Sequence, residues 1–258
     1  SCILFAALCN MFKRLSTRVK KFWASAALLS IEMLIILGLF ACSVIIFGLI
    51  YRRIFLLGDE SYDQKVFDSL RPYITMTNTR IMNFITFFGK HEFLIPANLL
   101  LIGYFLFIRR HRWYSIKVPA IALSSLALMF GLKRLFGRPR PLDPILQEFK
   151  GLSFPSGHAL MSVTFYGLII YLTWHLVQHK TAKWTIIILL ILWINLIGFS
   201  RIYLRAHNFS DVVAGYCIGM IWLFISLKLL RRMEKRNLRQ IDKEIIQKPA
   251  MPETKPAA

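Results

Sequence analysis

An all-α polytopic membrane protein, built as a six-transmembrane-helix bundle with one interfacial amphipathic helix, is the fold class that this sequence predicts. Three observations predict it. Over 258 residues, 56% are hydrophobic, including 21 phenylalanines, and the mean hydropathy is +0.53. A soluble domain of this length stays more polar. Six apolar runs approach the roughly 20 residues that a bilayer-crossing helix needs. The net charge of +20 is gathered beside those runs, which is how a polytopic protein faces anionic lipid and not how a nucleic-acid-binding surface is laid out.

Run length and flanking charge place the spans at about 24–50, 92–108, 115–136, 158–177, 184–204 and 211–230. A basic segment, 1–23, precedes the membrane domain, 24–230, and a basic tail, 231–258, follows it. Residues 1–12 are apolar but too short to span, and their cations follow instead of preceding, unlike a signal peptide. The tail from about 237, with Pro249, Pro252 and Pro256 among charges, reads as disordered and cytoplasmic. Between the first two spans, Ile74, Ile81, Phe84, Ile85 and Phe88 recur at mostly helical spacing in a segment that also offers Thr75, Asn78, Thr79 and Asn83. This fits an interfacial helix and equally a helix packed on the bundle.

Orientation follows from the cations. Lys13, Arg14, Arg18, Lys20 and Lys21 precede the first span; Arg109, Arg110, Arg112 and Lys117 separate the second and third; Lys180 and Lys183 separate the fourth and fifth; Lys228, Arg231, Arg232, Lys235 and Arg236 follow the sixth. With six alternating spans all four clusters share one side, which the positive-inside rule makes cytoplasmic. Trp23, Trp113 and Trp184 stand at the same edges, where indoles favour the interface. Arg52 and Arg53 run against this polarity, closely followed by Asp59, Glu60, Asp63 and Asp68. Cys2, Cys9, Cys42 and Cys217 lack metal-ligand spacing.

Three short stretches fall on the opposite side: Lys133 with Arg140-Pro141, then Pro155-Ser156-Gly157-His158, then Ser200-Arg201 with His207 and Asp211. Asp211 lies one helical turn after His207, so on one helix they would share a face. A carboxylate accepting from one ring nitrogen leaves the other free to attack, making His207 the candidate nucleophile and Asp211 its orienter. A capped helix-start histidine fits that pair alone as well. Ser156 is expected to cap a helix, and Gly157 to let backbone amides approach an anion. His158 beside them could protonate a leaving oxygen and later activate water; alone, the tetrapeptide also fits a capped helix with a surface histidine. Lys133, Arg140 and Arg201 would neutralise phosphoryl oxygens. Lys133 could instead snorkel and Arg140 anchor at the interface, whereas Arg201 closes an apolar run at a depth where charge is costly. Arg134, Arg138 and Arg205 are assigned to lipid headgroups or substrate. His91, His111, His175 and His179 read as interfacial or structural. Neither Asp143 nor Glu148 has a ligand partner at useful spacing, so no metal and no cofactor is expected.

The three stretches resemble the signature of the type 2 phosphatidic acid phosphatase family at every defining position, and the similarity in organisation covers about 80–230. The resemblance implies an integral membrane enzyme that dephosphorylates a lipid phosphate or diphosphate. Its candidate substrates are undecaprenyl diphosphate, phosphatidylglycerol phosphate, phosphatidic acid or a lipid A phosphate, and its expected partners are that lipid and membrane lipids, not nucleic acid. In a bacterium this places the protein in the inner membrane, with the site facing outward. With His207 forming a phosphohistidine, a phosphotransferase that uses the same intermediate, a vanadium haloperoxidase and a lipid-phosphate transporter are the competing readings. The first is separated by its products, the second by the six apolar spans, and the third by the presence of His158, His207 and Asp211.

Overall fold

The structure, a computed structural model, describes residues 31–141, 144–145 and 151–247, with side chains from 34 to 240 within those limits. The expectations for Cys2, Cys9, Trp23, the cations before the first span, Asp143, Glu148 and the tail prolines lie outside the described residues. Every regular element among the described residues is helical: α1 (Ile31–Tyr51), α2 (Ser61–Leu70), α3 (Met76–Phe87), α4 (His91–Gly103), α5 (Arg112–Phe136), α6 (Gly157–Leu176), α7 (Lys180–Tyr203) and α8 (Phe209–Gln247). Short π-helical turns carry α1 on to Leu56 and α4 on to Ile108. Compactness divides the chain at Cys42 and Ser43. The first unit's described part is the apolar start of α1; the packing and the site described below concern the second.

Among the described residues six stretches are long and apolar enough to cross a membrane: Leu34–Leu56, Met76–Ile108, Arg112–Phe136, Gly157–Leu176, Lys180–Tyr203 and Phe209–Gln240. Helices are the solution there because hydrocarbon offers no partner for backbone groups, which must bond within the segment. The fourth expected span is one residue out at each end, the fifth starts four residues late and ends one residue late, the sixth lies within its helix, and the observed third helix starts three residues earlier than expected. The sixth differs. α8 continues to Gln247, because 231–247 is rich in the good helix formers Arg, Lys, Glu and Leu and contains neither Gly nor Pro. Residues 237–247, expected to be disordered, are therefore helical.

α6 is the innermost helix, with 56% of its apolar window buried, and it packs on α5, α7 and α8. Its crossing with α8 is a backbone contact. A Cβ on Gly215 would sit 2.7 Å from the Ser156 carbonyl oxygen, and one on Gly219 3.0 Å from that of Leu160. Two glycines four apart let helices approach where lipid gives no hydrophobic drive to associate.

α3 starts at Thr75, whose hydroxyl accepts from the Asn78 amide at 3.2 Å, and it packs on α7. Its inner face is Thr79, Ile85 and Thr86, while Ile81 and Phe84 of the expected stripe are exposed. At the end of the bundle that carries the cation clusters, Lys117 of α5 is buried and pairs with Glu234 of α8 at 2.7 Å. The Arg231 Nε there donates to the Tyr171 hydroxyl at 2.9 Å.

Candidate active site

The three stretches sit at the C-terminal ends of α5 and α7 and the N-terminal ends of α6 and α8, which the antiparallel packing brings to one end of the bundle. α5 stops at Gly137, whose φ of 62° is left-handed and whose amide bonds the Lys133 carbonyl at 3.0 Å. The chain then turns back through Arg138 to Pro141. The Lys133 Nζ donates to the Leu152 carbonyl at 2.5 Å. The Ser156 amide donates to the Asp211 carbonyl at 3.0 Å, pinning the start of α6 to the start of α8.

Arg201, 3% exposed, lies in the last turn of α7 and donates to the Thr86 hydroxyl at 2.8 Å. Its own carbonyl accepts from the amides of Ala206 at 3.0 Å and His207 at 3.3 Å, so the third stretch folds on itself. Arg140 donates to the Ala206 carbonyl at 2.8 Å.

Two expectations are corrected here. Ser156 is not a cap by its side chain: fully buried beneath the α6–α8 crossing, its Oγ has no hydrogen-bond partner. His207 is not on the helix that carries Asp211, because α8 begins at Phe209. The His207 Nδ1 and Asp211 Oδ2 are 3.8 Å apart, beyond a hydrogen bond. The Ser153 hydroxyl lies between them, 3.2 Å from Nδ1, and donates a short hydrogen bond to Oδ2. A hydroxyl has one proton to give, so having given it to the carboxylate it accepts from Nδ1–H. That fixes the tautomer and leaves the Nε2 lone pair free.

Asp211 is held from two further directions. Its Oδ2 accepts from the Asn208 amide at 2.9 Å, and its Oδ1 accepts from the Arg138 Nη1 at 2.6 Å. The assignment of Arg138 to headgroups or substrate is thereby corrected: its side chain is 4% exposed and ion-paired with Asp211, Asp63 and Glu60.

His158 lies in the first turn of α6, with a buried Nε2 that has no hydrogen-bond partner. The α3–α4 turn passes over its ring so closely that a Cβ on Gly89 would lie 3.0 Å from Cδ2. Arg201, His207, Lys90 and Arg140 are all within electrostatic reach of it. A Cβ on Gly157 would collide with the Met129 sulfur at 2.6 Å and reach the Lys133 Cε at 3.9 Å. All eight expected site residues thus converge, with Lys133, Arg140 and Arg201 acting electrostatically on His207.

Burial first, then those three cations, hold His207 well below the ordinary histidine value of 6.5, so its imidazole is neutral at physiological pH. The unfolded chain takes up that proton near 6.5 and the folded one only at lower pH. The stability contribution is therefore full above 6.5 and is lost as pH falls below it. Unfolding in detergent should begin at a lower temperature at pH 5 than at pH 7.5, and His207→Asn should narrow the gap; an unchanged gap would refute this account.

Other candidates are not brought in. Arg134 is exposed, and the Arg205 guanidinium covers the Phe67 ring at 5.4 Å. His111 and His179 accept from the Tyr114 and Ala182 amides as helix caps, and His175 contacts Arg231. Among the described residues no group of three or more His, Cys, Asp or Glu side chains is placed to hold a metal ion.

The fold and site together define a helical membrane protein with three cations gathered around a buried histidine. Residues 114–235 match the model of the PAP2 superfamily. The chain is 28% identical over 194 residues to phosphatidylglycerophosphatase B of Bacillus subtilis (strain 168), covering 73% of this chain and 91% of that one. It is 27% identical over 195 residues to an undecaprenyl-diphosphatase of Sulfolobus acidocaldarius, covering 72% and 88%. The crystal structure of the transmembrane PAP2-type phosphatidylglycerolphosphate phosphatase from Bacillus subtilis shares the fold, with a TM-score of 0.66 and 24% identity over 76% of this chain and 96% of that one.

Proposed function

We propose that this protein hydrolyses a lipid phosphate or diphosphate through a phosphohistidine on His207, without a metal ion. The observation that carries the reading is the placement of Lys133, Arg140 and Arg201 around a neutral His207 whose Nδ1–H is committed to Ser153. Three like charges gathered at one buried point repel one another, and a phosphate relieves that repulsion.

The His207 Nε2 forms the bond to phosphorus as the bond from phosphorus to the leaving oxygen breaks. His158, which takes up a proton as the bound phosphate offsets the charge of the surrounding cations, gives that proton to the leaving oxygen, freeing the lipid alcohol or, from a diphosphate, the lipid monophosphate. Neutral His158 then takes a proton from water as the water oxygen attacks phosphorus. The P–N bond breaks, inorganic phosphate leaves and both histidines return to their starting states. The cations stabilise charge on the phosphoryl oxygens throughout.

The names of the relatives put phosphatidylglycerol phosphate and undecaprenyl diphosphate first among substrates, with phosphatidic acid and lipid A phosphates as further members of the class. The distribution of cations supports a bacterial inner-membrane protein with this site on the outer side: Arg109, Arg110, Arg112, Lys180, Lys183 and Arg231 gather at the opposite helix ends.

The test is phosphate release in detergent, with chelator present, from a panel of these lipids. Release undiminished by chelator is expected. Activity that vanishes in chelator and returns with magnesium would overturn the mechanism, and transfer of the phosphoryl group to a second lipid would make the enzyme a transferase.

A further inference from the structure

Behind Asp211 lies a charge cluster, buried except for Glu60, that ties this end of the bundle to α2, an element outside all three motifs. The Arg138 guanidinium spans it. Its Nε and Nη2 donate to Glu60 Oε1 at 3.2 and 2.7 Å, Nη2 also to Asp63 Oδ2 at 3.0 Å, and Nη1 to Ser210 Oγ at 2.8 Å and Asp211 Oδ1 at 2.6 Å. Asp63, 4% exposed, reaches across from α2 to accept from the Ser210 amide at 2.8 Å and the Ser210 hydroxyl at 2.6 Å. It therefore caps α8 in place of a residue of α8's own, one position before Asp211. The backbone joins in as well: the Arg138 carbonyl accepts from the Ser153 amide at 2.8 Å.

Arg138 thus holds both groups behind His207, Asp211 through its guanidinium and Ser153 through its carbonyl. Asp63 in turn holds Arg138 and the first turn of α8. Net stability is a poor reason for so buried an arrangement, because apolar side chains of similar volume often serve as well or better. Directional control is a better one, since a planar fork addresses acceptors along fixed lines.

We propose that Asp63 and Arg138 are positioning residues for phosphoryl transfer: Asp63 aims the Arg138 fork and the α8 terminus, and so fixes the line Asp211–Ser153–His207. The proposal rests on the reading of His207 as the nucleophile. Without the Asp63 charge, the fork turns toward Asp211 and draws that carboxylate off Ser153. The imidazole then loses its fixed tautomer while the phosphate-binding cations stay in place. Lysine at 138 is a point charge that cannot face Asp211 and Asp63 along separate lines.

The experiment measures phosphate release and thermal unfolding in detergent for the wild type, Asp63→Asn, Arg138→Lys, Asp68→Asn and His207→Ala. Asp68 is an exposed residue of the same helix that accepts only from the Gln64 side chain at 3.2 Å, so its variant controls for damage to α2. Asp63→Asn and Arg138→Lys should each lower kcat about ten- to a hundredfold, the scale of a small misplacement at a reacting centre, with KM little changed. Asp68→Asn should match the wild type. In an Asp211→Asn background, Asp63→Asn should lower kcat no further, since it acts through that carboxylate.

Wild-type kcat in Asp63→Asn, a change confined to KM or to unfolding temperature, or a full further loss in the Asp211→Asn background would each overturn the proposal. Should Arg138→Lys fail to fold, Asp63→Asn alone decides. Activity surviving in His207→Ala would instead defeat the histidine mechanism itself. A dead His207→Ala beside a fully active Asp63→Asn defeats only the positioning role.

Discussion

His207→Ala is expected to abolish phosphate release, with a loss on the order of 10⁴-fold or more, as when the nucleophile of a covalent mechanism is removed. In the proposed mechanism everything else at the site only binds, orients or moves protons around that nitrogen. Lys133, Arg140 and Arg201 would still gather the phosphate, so binding should survive better than turnover. His207 is 2% exposed, and deleting its ring leaves a space that could loosen the bundle. His207→Gln, which refills part of that space, therefore serves as a companion and should be equally inactive. Brief exposure of the wild type to labelled substrate should leave an acid-labile phosphoenzyme that neither variant forms. A His207→Ala protein within tenfold of wild-type activity would end the covalent mechanism.

Gly215→Val should prevent the α6–α8 crossing from forming. The added Cβ would lie 2.7 Å from the Ser156 carbonyl oxygen and 2.9 Å from the Ala159 Cβ. These atoms have no rotamer to change, so relief requires the helices to move apart. Overpacking costs about 1–3 kcal/mol where a core can adjust, and here the adjustment would break the bond from the Ser156 amide to the Asp211 carbonyl. Stability and activity should fall together, with Gly215→Ala intermediate. Gly131→Ala, where an added Cβ meets nothing within 4 Å, should be neutral or slightly stabilising, because alanine is the better helix former. Folded, fully active Gly215→Val would show that the two backbones are not held this close.

The spans and the site letters were legible because each depends on local information. An apolar run declares its own length, and the motif residues stand at fixed separations. What escaped depended on tertiary pairing. Ser153 stands two residues before Pro155 and Arg138 two before Arg140, close enough to the motifs to be noticed, yet nothing local ties either to Asp211. Asp63 is 75 residues from Arg138, and no periodicity links them. The glycines 215 and 219 did carry a readable signal, the four-residue spacing of a close helix contact.

In α3 the surroundings reversed the usual sense of an apolar stripe. Ile81 and Phe84 are exposed while Thr79 and Thr86 turn inward to Tyr203 and Arg201, as suits a helix whose outside is hydrocarbon. In α8 a charged sequence was read as disorder when its residues favour helix, a case of polarity outweighing propensity.

The proposed role of the cluster around Arg138 also bears on when during synthesis the site is completed. Its carboxylates lie 75 residues before and 73 residues after it, so the ribosome delivers Asp63 first, Arg138 next and Asp211 only with the last membrane span. A nascent chain that has inserted α5, α6 and α7 already contains Lys133, Arg140, His158 and Arg201. It still lacks His207, Asp211 and the α8 terminus that Asp63 caps. On the proposed mechanism catalytic competence therefore arrives only with α8, and an N-terminal product that stops before His207 should release no phosphate.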